Sequence, residues 1–159
     1  MSNLPSNDFR VSSTFQKRLI YLLRGDTRKN TEIAKDMSIS KDILIRAINA
    51  GVIPTTKILI KIADYLDTSI EFLIGLTESD SFIKSETNET FQDRLTYLKA
   101  LHNEKNGSIA SDIGISRSLF NSWKDLNYLP TIEIAYQLSR HFHVSIDFLF
   151  ARTDIEIIQ

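Results

Sequence analysis

A chain of 159 residues with 42% hydrophobic and 25% charged side chains has the composition of an ordinary globular protein. It contains no cysteine, which excludes disulfides and thiolate metal sites, and no apolar run approaches the roughly 20 residues needed to span a bilayer. A net charge of −1 gives the whole chain no strong field for a polyanion.

Only three prolines and five glycines interrupt the sequence, which favours helices over a many-turned β fold. The start, Met1 to Asp8, lacks the basic and apolar regions of a signal peptide. A cytoplasmic protein with no membrane association is therefore expected. Residues 1–14 read as a flexible N-terminal arm.

Phe15, Leu19, Leu22 and Leu23 mark one face of a first helix, with Ser13 or Thr14 as its cap. A short second helix is predicted over Asn30–Met37, with Ile33, Ala34 and Met37 inward and Asn30 or Thr31 capping it. Ser38-Ile39-Ser40 makes a turn, and Ser40 caps a third helix of about ten residues. There Leu44, Ala47 and Ile48 share one face, while Lys41, Asp42, Ile45, Arg46 and Asn49 point the other way. Pro54-Thr55 opens a fourth helix with Ile58, Ile62 and Leu66 inward. Ser69 caps a fifth that buries Ile70 and Leu73.

The plan then recurs. A shift of 76 positions aligns residues 15–77 with 91–153 without a gap and gives 21 identities over 63 positions. Phe15-Gln16-x-Arg18-Leu19-x-Tyr21-Leu22 matches Phe91-Gln92-x-Arg94-Leu95-x-Tyr97-Leu98, and Ser69-Ile70-x-Phe72-Leu73 matches Ser145-Ile146-x-Phe148-Leu149. A unit this long, present twice, predicts two tandem all-α domains rather than a solenoid. The expected division is a domain over 15–77, an acidic linker over 78–90, a second domain over 91–153 and a tail over 154–159. In the second domain the inward residues are Leu95, Leu98, Ile109, Ala110, Ile113, Phe120, Trp123, Ile134, Leu138, Phe142, Ile146 and Leu149. The tail isoleucines are placed either on the body or on a second copy of the chain.

The informative stretch is Asn30-x-x-Ile33-Ala34-x-x-Met37-x-Ile39-Ser40-x-x-x-Leu44, with its partner Asn106-x-x-Ile109-Ala110-x-x-Ile113-Gly114-Ile115-Ser116-x-x-x-Phe120. A small Ala lets two helices cross closely, apolar residues bracket a tight turn, and Leu or Phe anchors the next helix. One side of the third helix is left uncovered. With Phe-x-x-Arg-Leu in helix one, Pro-Thr opening helix four and Glu71-Phe72-Leu73-Ile74-Gly75-Leu76-Thr77 at the end, both repeats resemble the XRE, or lambda-repressor-like (Cro-type), helix-turn-helix family. The resemblance covers about 126 residues.

It implies five-helix domains that bind double-stranded DNA sequence-specifically, with the third helix in the major groove, and so a transcriptional regulator, a repressor before an activator. The base-reading positions it implies are Lys41, Asp42, Ile45 and Arg46 in the first repeat, and Arg117, Ser118, Asn121 and Ser122 in the second. Arg and Lys can donate to guanine, Asn can pair with adenine, and Ile can meet a thymine methyl. Phosphate contacts fall on Asn30 and Asn106, where the family more often has Gln, and on Asn49, Thr55 and Thr131. The loops Ala50-Gly51-Val52-Ile53 and Leu126-Asn127-Tyr128-Leu129 are more apolar than the family's, which suits an interface.

By segment, the first repeat is the more basic, but neither repeat has a strong field. Repeat 1 holds ten basic and seven acidic residues, repeat 2 seven and six, and the acidic excess lies in the linker and tail. The competing readings are a protein-interaction module and an antitoxin-like partner using the same helical surface. A homodimer and a protein partner both remain compatible. Trp123 reads as core rather than as a base-stacking residue, and Lys17, Arg24, Arg28 and Lys29 as ordinary surface charges. His141 and His143 are two residues apart and share no helix face, so no metal site is expected. No paired carboxylates, nucleophile elbow or phosphate-cradling glycine loop suggests an enzyme, and no cofactor is expected.

Overall fold

The computed structural model describes residues 8–125 and 127–157. These form ten α-helices and no strand, and no helix among them is long and apolar enough to cross a membrane. The chain divides into two compact units, Met1–Ser81 and Phe82–Gln159.

The first unit contains α1 (Ser13–Leu23), α2 (Asn30–Met37), α3 (Lys41–Ala50), α4 (Thr56–Tyr65) and α5 (Ile70–Leu73). The second contains α6 (Phe91–His102), α7 (Asn106–Ile113), α8 (Arg117–Ser122), α9 (Ile132–Phe142) and α10 (Ile146–Leu149). Helices α7, α8, α9 and α10 each start 76 residues after their counterparts α2, α3, α4 and α5.

Each core is the apolar face expected from helical spacing. Phe15, Leu19, Leu44, Ala47, Leu59, Ile62, Ile70 and Leu73 are fully enclosed in the first unit, and Leu98, Ile109, Ala135, Leu138, Ile146 and Leu149 in the second. Ile58 and Ile134, expected inward, are half-buried. Leu59 and Ala135, one position on, hold the core instead. Leu22, Leu23, Ile48, Leu66 and Ile113 are also only half-buried.

Two caps differ from expectation. Ser12, not Ser13 or Thr14, caps α1: its hydroxyl accepts from the Phe15 amide at 3.1 Å. Its own N–H donates to the Gly51 carbonyl at 2.9 Å, which holds Ser12 extended and lets the helix begin at Ser13. For α2, Asn30 and Thr31 already lie inside the helix. The cap position is Lys29, whose carbonyl accepts from Glu32 and Ile33 without any side-chain cap.

The stretch expected as a flexible arm is therefore partly structured. Residues 1–7 lie outside the described residues. Arg10 accepts from the Ile53 amide at 2.8 Å, and Val11 bridges Val52 antiparallel. The apolar loop after α3 is thus engaged within its own unit. Gly51 sits there with φ +67°, and a Cβ on it would stand 2.4 Å from the Ser12 carbonyl oxygen, so only glycine fits.

An arginine latch closes each unit. From α1, Arg18 donates to the Phe72 and Thr77 carbonyls, lies 4.2 Å from the Phe72 ring centroid and pairs with Glu78 at 3.2 Å. From α6, Arg94 donates to Phe148 and Thr153 at 3.2 and 3.1 Å, lies 4.2 Å from the Phe148 centroid, and pairs with Asp154 at 2.9 Å and Glu89 at 2.7 Å. Arg94 is only 3% exposed, yet every face of its guanidinium is occupied.

Of the acidic stretch 78–90, Glu78 joins the first latch. Ile83, Ser85 and Glu89 bond within the second unit, to Thr153, Arg152 and Arg94. The tail also bonds there: the Glu156 carbonyl accepts from Ser145 at 2.7 Å. Its Ile155 and Ile157 are exposed rather than packed on the body, and Ile158 lies outside the described residues.

Candidate nucleic-acid interface

The turn between α2 and α3 fixes the candidate surface. Ser38 adopts φ +61°, its amide returns to Lys35, and the Ile39 amide returns to Ala34 at 3.0 Å. In the second unit Gly114 adopts φ +76°, and Ile115 returns to Ala110 at 2.9 Å. The next helix then begins on a serine. The Ser40 hydroxyl accepts from Ile43 at 3.2 Å, and that of Ser116 from Leu119 at 3.0 Å.

Leu44 and Ala47 pin α3 to the core with no exposed surface. This turns Lys41, Asp42, Arg46 and Asn49 to solvent, and none of their side chains has a partner among the described residues. Ile45 is half-buried beside them. At the start of α2, Asn30 is half-buried with its amide unengaged, and Thr55 before α4 is exposed and makes no side-chain cap bond. The first repeat's predicted positions thus lie on a ten-residue helix and the two helix starts that flank it.

The second unit departs from this plan. Helix α8 is six residues long instead of about ten, and Trp123, where the first unit has Ala47, is its C-cap. The indole is 2% exposed and sits edge-on to Phe91 at 5.8 Å and tilted against Phe120 at 5.1 Å, so it is core, as expected. Arg117, Ser118 and Ser122 are exposed, but Arg117 folds back over Gly107, where a Cβ would meet its guanidinium at 2.2 Å.

Asn121 accepts from the Asn106 amide at 3.1 Å, and Asn106 accepts from Lys99 at 2.7 Å. At the equivalent positions of the first unit stand Ile45, Asn30 and Leu23, which cannot form this polar chain. Thr131 uses its hydroxyl to cap α9, accepting from Ile134 at 3.3 Å.

Two supports escaped the sequence reading. Gln16 donates to the Ile48 carbonyl at 2.9 Å, and Gln92 to those of Asp125 and Tyr128 at 3.3 and 3.2 Å. Gln16 ties α1 to the end of α3, and Gln92 ties α6 to the loop that follows α8. Their identity in both repeats was the available signal. Lys99 was hidden because its counterpart is Leu23.

Among curated proteins, the chain is similar to an uncharacterized HTH-type transcriptional regulator of Methanocaldococcus jannaschii. The two are 29% identical over 65 residues, which is 41% of this chain and 98% of that protein. No family model and no solved structure matches the chain.

Proposed function

We propose that the chain is a sequence-specific DNA-binding regulator built from two tandem helix-turn-helix domains of the lambda-repressor-like kind, with α3 as its main reading element. The observation that carries this reading is the outward side of α3. Lys41, Asp42, Arg46 and Asn49 stand exposed, without side-chain partners among the described residues, on a helix that Leu44 and Ala47 anchor in the core. A surface of that width with free Arg, Lys and Asn side chains matches the donors and acceptors of a major-groove edge.

Arg46 and Lys41 read bases, and Ile45 offers an apolar contact. Asn30, Asn49 and Thr55 hold phosphates on either side. Asp42 restricts tolerated sequences by repelling phosphate and accepting only from a base amine. The similarity to a protein named as an HTH-type transcriptional regulator supports the same reading. Occlusion of a promoter is the simplest regulatory consequence.

In the second unit Arg117, Ser118 and Ser122 are the base-facing groups, with the Ser122 hydroxyl donating to the Leu119 carbonyl. Asn121 is tied to Asn106, and the Lys99–Asn106 pair with Thr131 marks the phosphate side. A second reading applies to this unit. Its third helix is short, its asparagines are mutually occupied, and Leu119 is 41% exposed, features that favour contact with protein, including a second copy of the chain.

Binding-site selection from random duplexes, followed by anisotropy titration at two salt concentrations, tests both readings. Arg46→Ala is expected to weaken binding by about 10–100-fold and to relax selection at its base position. Arg117→Ala weakens binding less. No binding by the full chain at low salt would refute the DNA reading.

A further inference from the structure

The corner formed by the loop before α7, α7 itself and the end of α9 brings together Glu104, Asp112 and His141. One ligand atom from each lies within 4.8 Å of the others. The His141 Nε2 is 2.8 and 2.9 Å from the two Glu104 carboxylate oxygens. Glu104 and His141 are mostly enclosed, with side chains 23% and 16% exposed, and Asp112 borders solvent. Spacing along the chain gave no hint of this group, because its members are 8 and 29 residues apart.

The first unit shows what this corner requires. Shifting by 76 positions places Arg28 where Glu104 stands, Asp36 at Asp112 and Tyr65 at His141. There the Arg28 guanidinium sits among Asp36, the Tyr65 hydroxyl at 2.7 Å and Asp26 at 2.8 Å. One unit therefore fills the corner with a covalently attached cation. The other has exchanged that cation for the Glu104 carboxylate, the phenol for an imidazole, and Asp26 for His102. The Glu104 carboxylate meets one imidazole nitrogen, an Asp112 oxygen lies within 4.8 Å, and the positive charge beside them is no longer supplied by an arginine.

We propose that Glu104, Asp112 and His141 form a binding site for a divalent transition-metal cation of the zinc type, which takes the place that Arg28 fills in the first unit. One imidazole nitrogen and two carboxylate oxygens are a borderline donor set that suits zinc better than magnesium or calcium, which prefer all-oxygen shells. Ligand atoms about 2.0–2.2 Å from a tetrahedral zinc ion lie roughly 3.3 Å apart, so side-chain rotations close the present spacing. Water completes the shell on the open side, at Asp112. The ion staples the loop, α7 and α9, and so stiffens the support of α8. It goes beyond the DNA-binding reading and does not depend on it.

The test uses the full chain after chelator treatment, titrated with zinc chloride by calorimetry near neutral pH, with thermal unfolding followed through Trp123, the single tryptophan. Expected are one site per chain and a higher unfolding midpoint of the second unit. His141→Ala and Asp112→Asn are each expected to weaken zinc binding by about tenfold or more, while His143→Ala leaves it unchanged. Asp112→Asn is an exposed, near-isosteric change that keeps the fold, so its result stands even if His141→Ala unfolds the unit.

The proposal fails if zinc produces no heat and no midpoint shift. It also fails if binding survives both substitutions or disappears with His143→Ala, which would assign it to exposed histidines. A magnesium chloride titration matching zinc in affinity would overturn the transition-metal assignment.

Discussion

Replacing Gly51 with alanine is expected to destabilise the first unit selectively. Two costs act together. The residue sits at φ +67°, where a side chain costs about 1–2 kcal/mol. The new Cβ would also stand 2.4 Å from the Ser12 carbonyl oxygen, a backbone atom that cannot swing away. Ser12 must shift, which weakens its hydrogen bond to Gly51, worth about 0.5–1.5 kcal/mol, and its cap on α1, worth about 1 kcal/mol.

Together the loss is about 3 kcal/mol, or a drop of about 12–24 °C in the midpoint of a unit this size. Gly114→Ala is the matched control. Its φ is +76°, but nothing lies within 4 Å of the added Cβ, so only the backbone cost of about 1–2 kcal/mol applies. Urea unfolding should be followed by far-UV circular dichroism for both units and by Trp123 fluorescence for the second. Gly51→Ala should bring forward part of the dichroism transition and leave the fluorescence curve in place. If it costs no more than Gly114→Ala, the packing argument at Ser12 is wrong.

Other expectations follow from the same structure. Arg94→Lys should destabilise the second unit by about 2–4 kcal/mol in urea melts, because an ammonium cannot reach the two carbonyls and two carboxylates that the guanidinium joins. Acid should weaken the first unit through Asp26, whose carboxyl is held below its ordinary value chiefly by the Arg28 side chain and then by the Arg28 backbone N–H. Because that pKa is depressed by folding, its contribution is present above the ordinary value of about 3.9 and lost as pH falls through the lowered one. Asp26→Asn should remove that part of the pH dependence, and the difference from the natural chain should vanish in strong acid. On the alkaline side, Tyr97 donates to Glu156, which raises its phenol pKa. The tail contact is therefore complete below the ordinary value of about 10 and lost as pH climbs through the raised one, measurable by phenolate absorbance.

The helices were legible because their signals are local. Serine caps at Ser40 and Ser69 and the helical spacing of Phe15 with Leu19, of Leu44 with Ala47 and of Ile70 with Leu73 require no knowledge of distant chain. The cap at Ser12 was missed because Gly51, 39 residues on, decides it through a backbone bond. In α8, Trp123 stands at the C-cap, whereas its counterpart Ala47 lies inside α3. Periodicity places Trp123 in the core, but it does not show that α8 stops there. The exposed side of α3 was readable from its periodicity. The tie from Asn121 through Asn106 to Lys99 was not, since it joins three helices and has no counterpart in the first repeat. Arg28 was read as a plain surface charge, and only the fold shows it joining Asp26, Asp36 and Tyr65.

The arginine latches carry a topological consequence. Arg18 reaches from the opening helix to Thr77, and Arg94 does the same to Thr153, so within each bundle the point of entry and the point of exit are neighbours. A body whose ends meet can be excised, spliced into a host loop or re-threaded from a new starting residue without disturbing its interior. Cutting such a bundle between its second and third helices and tying the old ends together would leave the buried shell intact, with the guanidinium acting as the knot.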